Sequence, residues 1–141
     1  MSKVAVVFWS MTGNTEAMAD AVADGARKAG ASAMKVEASA FGAADVAKYD
    51  AIAFGCPSMG VEELEEGEFE PVFSDCEAAL SGKKTGLFGS YGWGDGEWMR
   101  NWAERCENDG AVLACEPVIC NDAPDDDAKA ECEALGKALA Q

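Results

Sequence analysis

The segment from Val4 to Trp9, VAVVFW, is an unbroken apolar run, β-branched at three of its six positions. A strand with one wet face alternates polar and apolar side chains. A run without alternation suits a strand covered on both faces, as in the parallel sheets of α/β proteins. Similar runs follow at DAIAFGC (50–56), KTGLFGSY (84–91) and AVLACEPVI (111–119), with a weaker one at SAMKVEA (32–38).

The stretches between these runs carry helical periodicity. Residues 14–29 place Met18, Ala21, Val22, Gly25, Ala26 and Ala29 on one face. Residues 43–48 allow a short helix, and 64–80 a longer one interrupted near Gly67 and Pro71. Over 96–109, Trp98, Met99, Trp102 and Cys106 share a face, with Asp95 as candidate N-cap. Residues 125–140 align Ala128, Cys132, Leu135 and Leu139. Gly30 and Gly110 suit helix stops. Five strands alternating with helices predict one α/β domain: a doubly wound parallel sheet with helices on both faces.

Composition narrows the function. With 26 acidic and 11 basic residues the formal charge is −15. That disfavours nucleic acid and anionic membranes, which select clustered Lys and Arg, and suits a basic protein partner. The chain has no histidine and no CxxC among its six cysteines. Zinc-finger, haem-His and His-activated nucleophile chemistry are thereby excluded, and most cysteines are expected reduced in the core. No apolar stretch is long enough to span a membrane and the start lacks a cleavage signature, so a cytoplasmic protein is expected.

In doubly wound sheets ligands bind beyond the carboxyl ends of the strands. The loops to inspect are therefore 10–15, 56–66, 89–97 and 120–124. The first, SMTGNT, offers hydroxyls from Ser10, Thr12 and Thr15, the Asn14 amide, and Gly13 for close backbone approach. A helix N-terminus follows, so the loop suits an anion although no Lys or Arg lies between Lys3 and Arg27. It matches neither a Walker A motif nor G-x-G-x-x-G. An ordinary capped strand-to-helix turn would have the same composition. In GSYGWGDG, Gly89, Gly92, Gly94 and Gly96 surround Tyr91 and Trp93, a stacking wall for a planar ring or simply a glycine-rich turn. Met59 suits the ring's other face or a core gap. The six glutamates from Glu62 to Glu70 read as a solvated face or a docking surface. Together the loops predict a ligand with a terminal phosphate and a flat polar ring.

The stretches WSMTGNTEAMA (9–19), GCPSMGVEELEE (55–66), GLFGSYGWGDGEWM (86–99) and NDAP (121–124) resemble the short-chain flavodoxins of anaerobic bacteria. The resemblance implies strand order 2-1-3-4-5, non-covalent FMN and no catalytic residues or metal. It implies low-potential one-electron transfer through the semiquinone/hydroquinone couple, in place of ferredoxin, by a monomer docking on basic patches of oxidoreductases. It puts the phosphate on Ser10, Thr12, Asn14 and Thr15 with nearby amides. Met59 and Trp93 flank the ring, Glu62 accepts from ring N3, and backbone near Gly92 lies by N1 and O2. Ser90, Asn121 and Asp122 lie near the ribityl chain. Met11, Gly13, Pro57, Ser58, Gly60, Gly89, Tyr91 and Gly94 complete the implied site. Pro57 stands where some relatives carry serine, and Val61 where several carry a polar residue. The Gly60–Val61 peptide is implied to turn its carbonyl toward N5 on reduction.

Two alternatives are an FMN-dependent quinone or nitro reductase and a signalling receiver domain. Met59 and Trp93 on both ring faces would obstruct hydride delivery in the first. The second needs acidic residues where this chain has Trp9-Ser10 and Gly55-Cys56.

Overall fold

Strand β1 (Lys3–Phe8) has parallel neighbours on both sides, β2 (Ser32–Glu37) and β3 (Ala51–Gly55), so its burial is unbroken from Val4 to Phe8. The structure is a computed structural model that describes residues 2–59 and 62–141. β4 (Lys84–Tyr91) pairs with β3, and the order runs β2-β1-β3-β4-β5 as the resemblance implies.

The fifth strand departs from expectation. It is split into β5 (Val112–Leu113) and β6 (Val118–Asn121), each parallel to β4. Pro117 lies in the gap and has no N–H to give a ladder.

Alternation along β1 divides the core. Val4, Val6 and Phe8 pack under α1 (Asn14–Lys28) and α5 (Asp126–Ala140). Ala5 and Val7 belong to the opposite layer, with α2 (Ala43–Val46), α3 (Phe69–Glu77) and α4 (Glu97–Asn108). There Phe54 meets Phe73 edge-on at 5.1 Å, and Trp102 meets Phe69 edge-on at 5.4 Å. The four apolar residues expected on α4 and the four on α5 are all buried, whereas Ala29 beyond α1 is exposed.

α1 and α5 approach to backbone contact. A Cβ on Gly25 would sit 2.0 Å from the Glu133 carbonyl oxygen, and one on Gly136 would sit 2.0 Å from that of Val22. Only a residue without a side chain fits either place.

α3 is shorter than the period over 64–80 suggests. Glu65 stops it from extending backward, because its carboxylate accepts from the amides of Gly67 (2.6 Å), Glu68 (2.7 Å) and Phe69 (2.8 Å). Burial would raise the Glu65 carboxyl, but these three donors hold it below the ordinary range. Pro71 falls in the first turn, where no helix carbonyl is available to its missing N–H. No helix is long and apolar enough to cross a membrane among the described residues.

Candidate functional site

The β1–α1 loop ends in a helix N-terminus organised by its own residues. Gly13 is the N-cap at φ 95°, in left-handed backbone that favours glycine. Ser10 Oγ accepts from the amides of Gly13 (3.1 Å) and Glu16 (3.3 Å). Its own proton is still available to donate. The amides of Asn14 and Thr15 belong to the first turn and have no carbonyl four residues back within the helix. Helix α1 thus presents N–H groups and its positive end to the loop.

Thr15 points inward from that turn. Its Oγ1 shares a 3.2 Å hydrogen bond with Ser90 Oγ of β4, and both side chains are buried. The second loop is drawn toward the same place by Ser58 N–H, which donates to the Ser90 carbonyl at 3.0 Å. Its root is held by Trp98 of α4, whose indole N–H donates to the Cys56 carbonyl at 3.3 Å. Met59 and Glu63 exchange backbone hydrogen bonds of 2.8 and 2.9 Å, closing a small hairpin. Gly60 and Val61, to which the sequence reading gives a role, lie outside the described residues.

These loops enclose a cavity of about 180 Å³. Its lining comes from Ser10, Met11, Thr12, Asn14 and Thr15 on the first loop, and from Pro57, Ser58 and Met59 on the second. Ser90, Tyr91 and Gly92 supply the third wall, and Asp122 the fourth. Asp122 is the only charged side chain among these, and its φ of 57° places it in a tight left-handed turn. The expected anion loop therefore does meet the expected aromatic loop, and it does so without a cation.

The remaining candidates sit outside that lining. Gly89 is inside β4, where a Cβ would sit 2.2 Å from the Cys56 carbonyl oxygen, so its smallness serves strand packing. Asn121 donates its side-chain amide to the Tyr91 carbonyl at 3.2 Å, joining the third and fourth loops. Trp93 follows the cavity-lining Gly92 and is 62% exposed, and Met11 on the opposite loop is 65% exposed. Both are exposed apolar side chains, and of the two only Met11 is in the cavity lining.

Glu62 is engaged in a way its sequence neighbourhood does not announce. Its Oε1 accepts from the amides of Asp95 (3.3 Å), Gly96 (3.2 Å) and Glu97 (3.1 Å), at the N-terminus of α4. Asp95 is not the cap predicted for this helix: Gly96 is the N-cap, and the Asp95 carboxylate pairs with Arg100 at 3.0 Å. The acidic run is accordingly not one solvated face. Glu62 and Glu65 cap helices and Glu70 is clamped by both terminal nitrogens of Arg105 at 2.7 Å, while Glu63, Glu66 and Glu68 are exposed. Trp98 and Glu65 are site supports that sequence reading missed, since their partners are distant in the chain or are backbone groups without a side-chain signature.

A doubly wound sheet with a cation-free cavity at its carboxyl edge, bordered by hydroxyls, an amide and the first turn of a helix, has the architecture of a ligand-binding α/β domain. The flavodoxin family profile matches residues 6–136. The chain is 47% identical to a flavodoxin of Megasphaera elsdenii over 138 residues, 98% of each chain. It is 42% identical to one of Clostridium beijerinckii over 135 residues, 96% of this chain and 97% of the other. The solution structure of two-electron reduced M. elsdenii flavodoxin superposes with a TM-score of 0.90 at 49% identity, covering 97% of this chain and 98% of that one. The chain belongs to the flavodoxin family, whose members bind FMN and carry electrons and are not enzymes.

Proposed function

We propose that this chain works as a single-domain, low-potential, one-electron carrier on non-covalently bound FMN, in the cytoplasm and as a monomer, substituting for ferredoxin between redox enzymes. The observation that carries the reading is the set of neutral donors around the cavity. Hydroxyls of Ser10, Thr12, Thr15 and Ser58, the Asn14 amide and the first-turn amides of α1 fit a phosphate dianion.

In this reading the flavin ring supplies the redox chemistry, and the protein holds and tunes it. Met59 and Trp93 would flank the ring, with Glu62 facing ring N3 and Gly92 near N1. Ser90, Asn121 and Asp122 would border the ribityl chain. Met11, Gly13, Pro57, Tyr91 and Gly94 would border it, and Gly60 and Gly89 complete the proposed set. No residue has to act as acid, base or nucleophile. The absence of Lys and Arg from the cavity lining leaves added electron charge uncompensated, which favours a strongly reducing couple. The exposed Met11 and Trp93 side chains suit direct contact with a partner's redox centre, and Glu63, Glu66 and Glu68 suit docking on basic surfaces of low-potential oxidoreductases.

The test is the visible spectrum of purified protein during stepwise chemical reduction. A yellow protein that takes up two electrons in separate steps, and is not reduced by NAD(P)H alone, fits this function. A colourless protein indifferent to added FMN overturns it. Rapid reduction by NAD(P)H alone would instead identify a reductase.

A further inference from the structure

The Glu62 carboxylate does more than face a ligand. We propose that Glu62 is a positioning residue: one oxygen fastens loop 56–66 to the N-terminus of α4, and that fastening persists when the flavin is bound.

Three features of the structure carry this. First, all three backbone contacts fall on Oε1, which leaves Oε2 with no hydrogen bond among the described residues. The carboxylate can serve the helix and a ligand N–H at once. Second, the loop of α4 is shaped around the carboxylate. Gly94 and Gly96 have φ of 90° and 92°, and a Cβ on Gly94 would sit 2.5 Å from the Glu62 carboxyl carbon. Third, Glu62 itself has φ 52°, uncommon for a residue with a side chain, so its backbone is held where the carboxylate reaches the helix.

Electrostatics favours the same role. The carboxyl groups of Glu62, Asp95 and Glu97 offer oxygens within 4.8 Å of one another. Their repulsion is offset by the three N–H donors and the positive end of α4, and Arg100 draws on Asp95. Because Asp95 follows Gly94 and Trp93, the fastening sets the spacing between the Met59 loop and the Trp93 loop.

The experiment is amide hydrogen exchange by NMR on wild type, Glu62→Gln and Glu62→Ala, each FMN-free and FMN-loaded. Exchange at Gly96 and Glu97 is expected to be about tenfold faster in Glu62→Ala than in wild type. Glu62→Gln, which keeps a neutral oxygen acceptor, is expected to fall between them, while the last turn of α4 is unchanged. In wild type the protection should survive FMN loading, and FMN should dissociate faster from Glu62→Ala than from Glu62→Gln. Equal exchange in wild type and Glu62→Ala would overturn the proposal. So would loss of wild-type protection on loading, which would mean that the carboxylate leaves the helix for the ligand. The loaded arm rests on the FMN reading. Should FMN not bind, the spectrum reports that separately and the FMN-free arm still decides whether Glu62 fastens the helix.

Discussion

The hydroxyls of Thr15 and Ser90, 75 residues apart in sequence, share a buried 3.2 Å hydrogen bond that joins the first turn of α1 to the end of β4. Each is the other's only side-chain partner among the described residues. Thr15→Val keeps the shape and strands Ser90 Oγ in a buried place, at a cost of about 1–3 kcal/mol. It should lower the melting temperature by several degrees and weaken FMN binding, whereas Thr15→Ser should do neither. Thermal melts and FMN titration check both.

The α1–α5 contact makes a sharper stability prediction. Gly136→Ala drives a Cβ into the Val22 carbonyl, a backbone atom that moves only if the helices separate. Overpacking of this kind costs about 1–3 kcal/mol, at the upper end where backbone must shift. Gly25→Ala should cost as much. The double variant should cost less than the sum, because the first substitution already parts the helices. Urea unfolding of the three variants measures it.

Asp109, at the C-cap of α4, carries the clearest pH dependence. Desolvation and a hydrogen bond with Glu77 raise its carboxyl from 3.8 to about 6, against the lowering by Arg105. The folded state therefore binds a proton between pH 4 and 6 that the unfolded chain does not. The stabilisation from Asp109 is full below about pH 4 and is lost as pH rises through 6. Arg105 holds Glu77 below its ordinary range, so Glu77 works in the opposite direction, its contribution lost as pH falls. Asp109→Asn should melt higher than wild type above pH 6 and similarly at pH 4. A constant offset across melts from pH 4 to 8 would contradict this.

Met11 lines the cavity and is largely exposed, so Met11→Lys adds a cation there with little packing cost. A unit charge about 10 Å away, at an effective dielectric near 20, is worth about 1.7 kcal/mol. That corresponds to about 70 mV for one electron. Potentiometric titration should show the second-electron potential raised by some tens of millivolts, with tighter FMN binding.

The acidic run separates into two groups by experiment. Reversing Glu63, Glu66 and Glu68 to Lys should slow electron transfer to a basic partner and flatten its dependence on ionic strength. Melting should change little. Glu65→Gln should do the reverse, destabilising α3 with little effect on the rate. Stopped-flow rates across a salt series, set beside thermal melts, distinguish them.

What the sequence discloses follows from how local the cause is. β1, β3 and β4 are legible because burial on both faces leaves runs without alternation. The apolar face of α4 is legible because Trp98, Met99, Trp102 and Cys106 repeat at helical spacing. The cradle at Ser10–Thr15 is legible because loop, glycine and helix start are contiguous. The split of the fifth strand depends on one Pro117 within an otherwise apolar run. The cap of α4 is not legible at all: Asp95 is the obvious local candidate, and the carboxylate that takes the place comes from 34 residues before Gly96. The Thr15–Ser90 pair is hidden for the same reason, since neither residue is unusual in its own loop.

The reciprocal seating of Gly25 and Gly136 also bears on the order of events during synthesis. The interface of α1 with α5 is the most extensive between any two elements of the described residues. The β1–α1 loop therefore leaves the ribosome long before α5, the helix that locks its support. An emerging chain can build most of its sheet, but the Ser10–Thr15 loop acquires a rigid support only once α5 is free to dock.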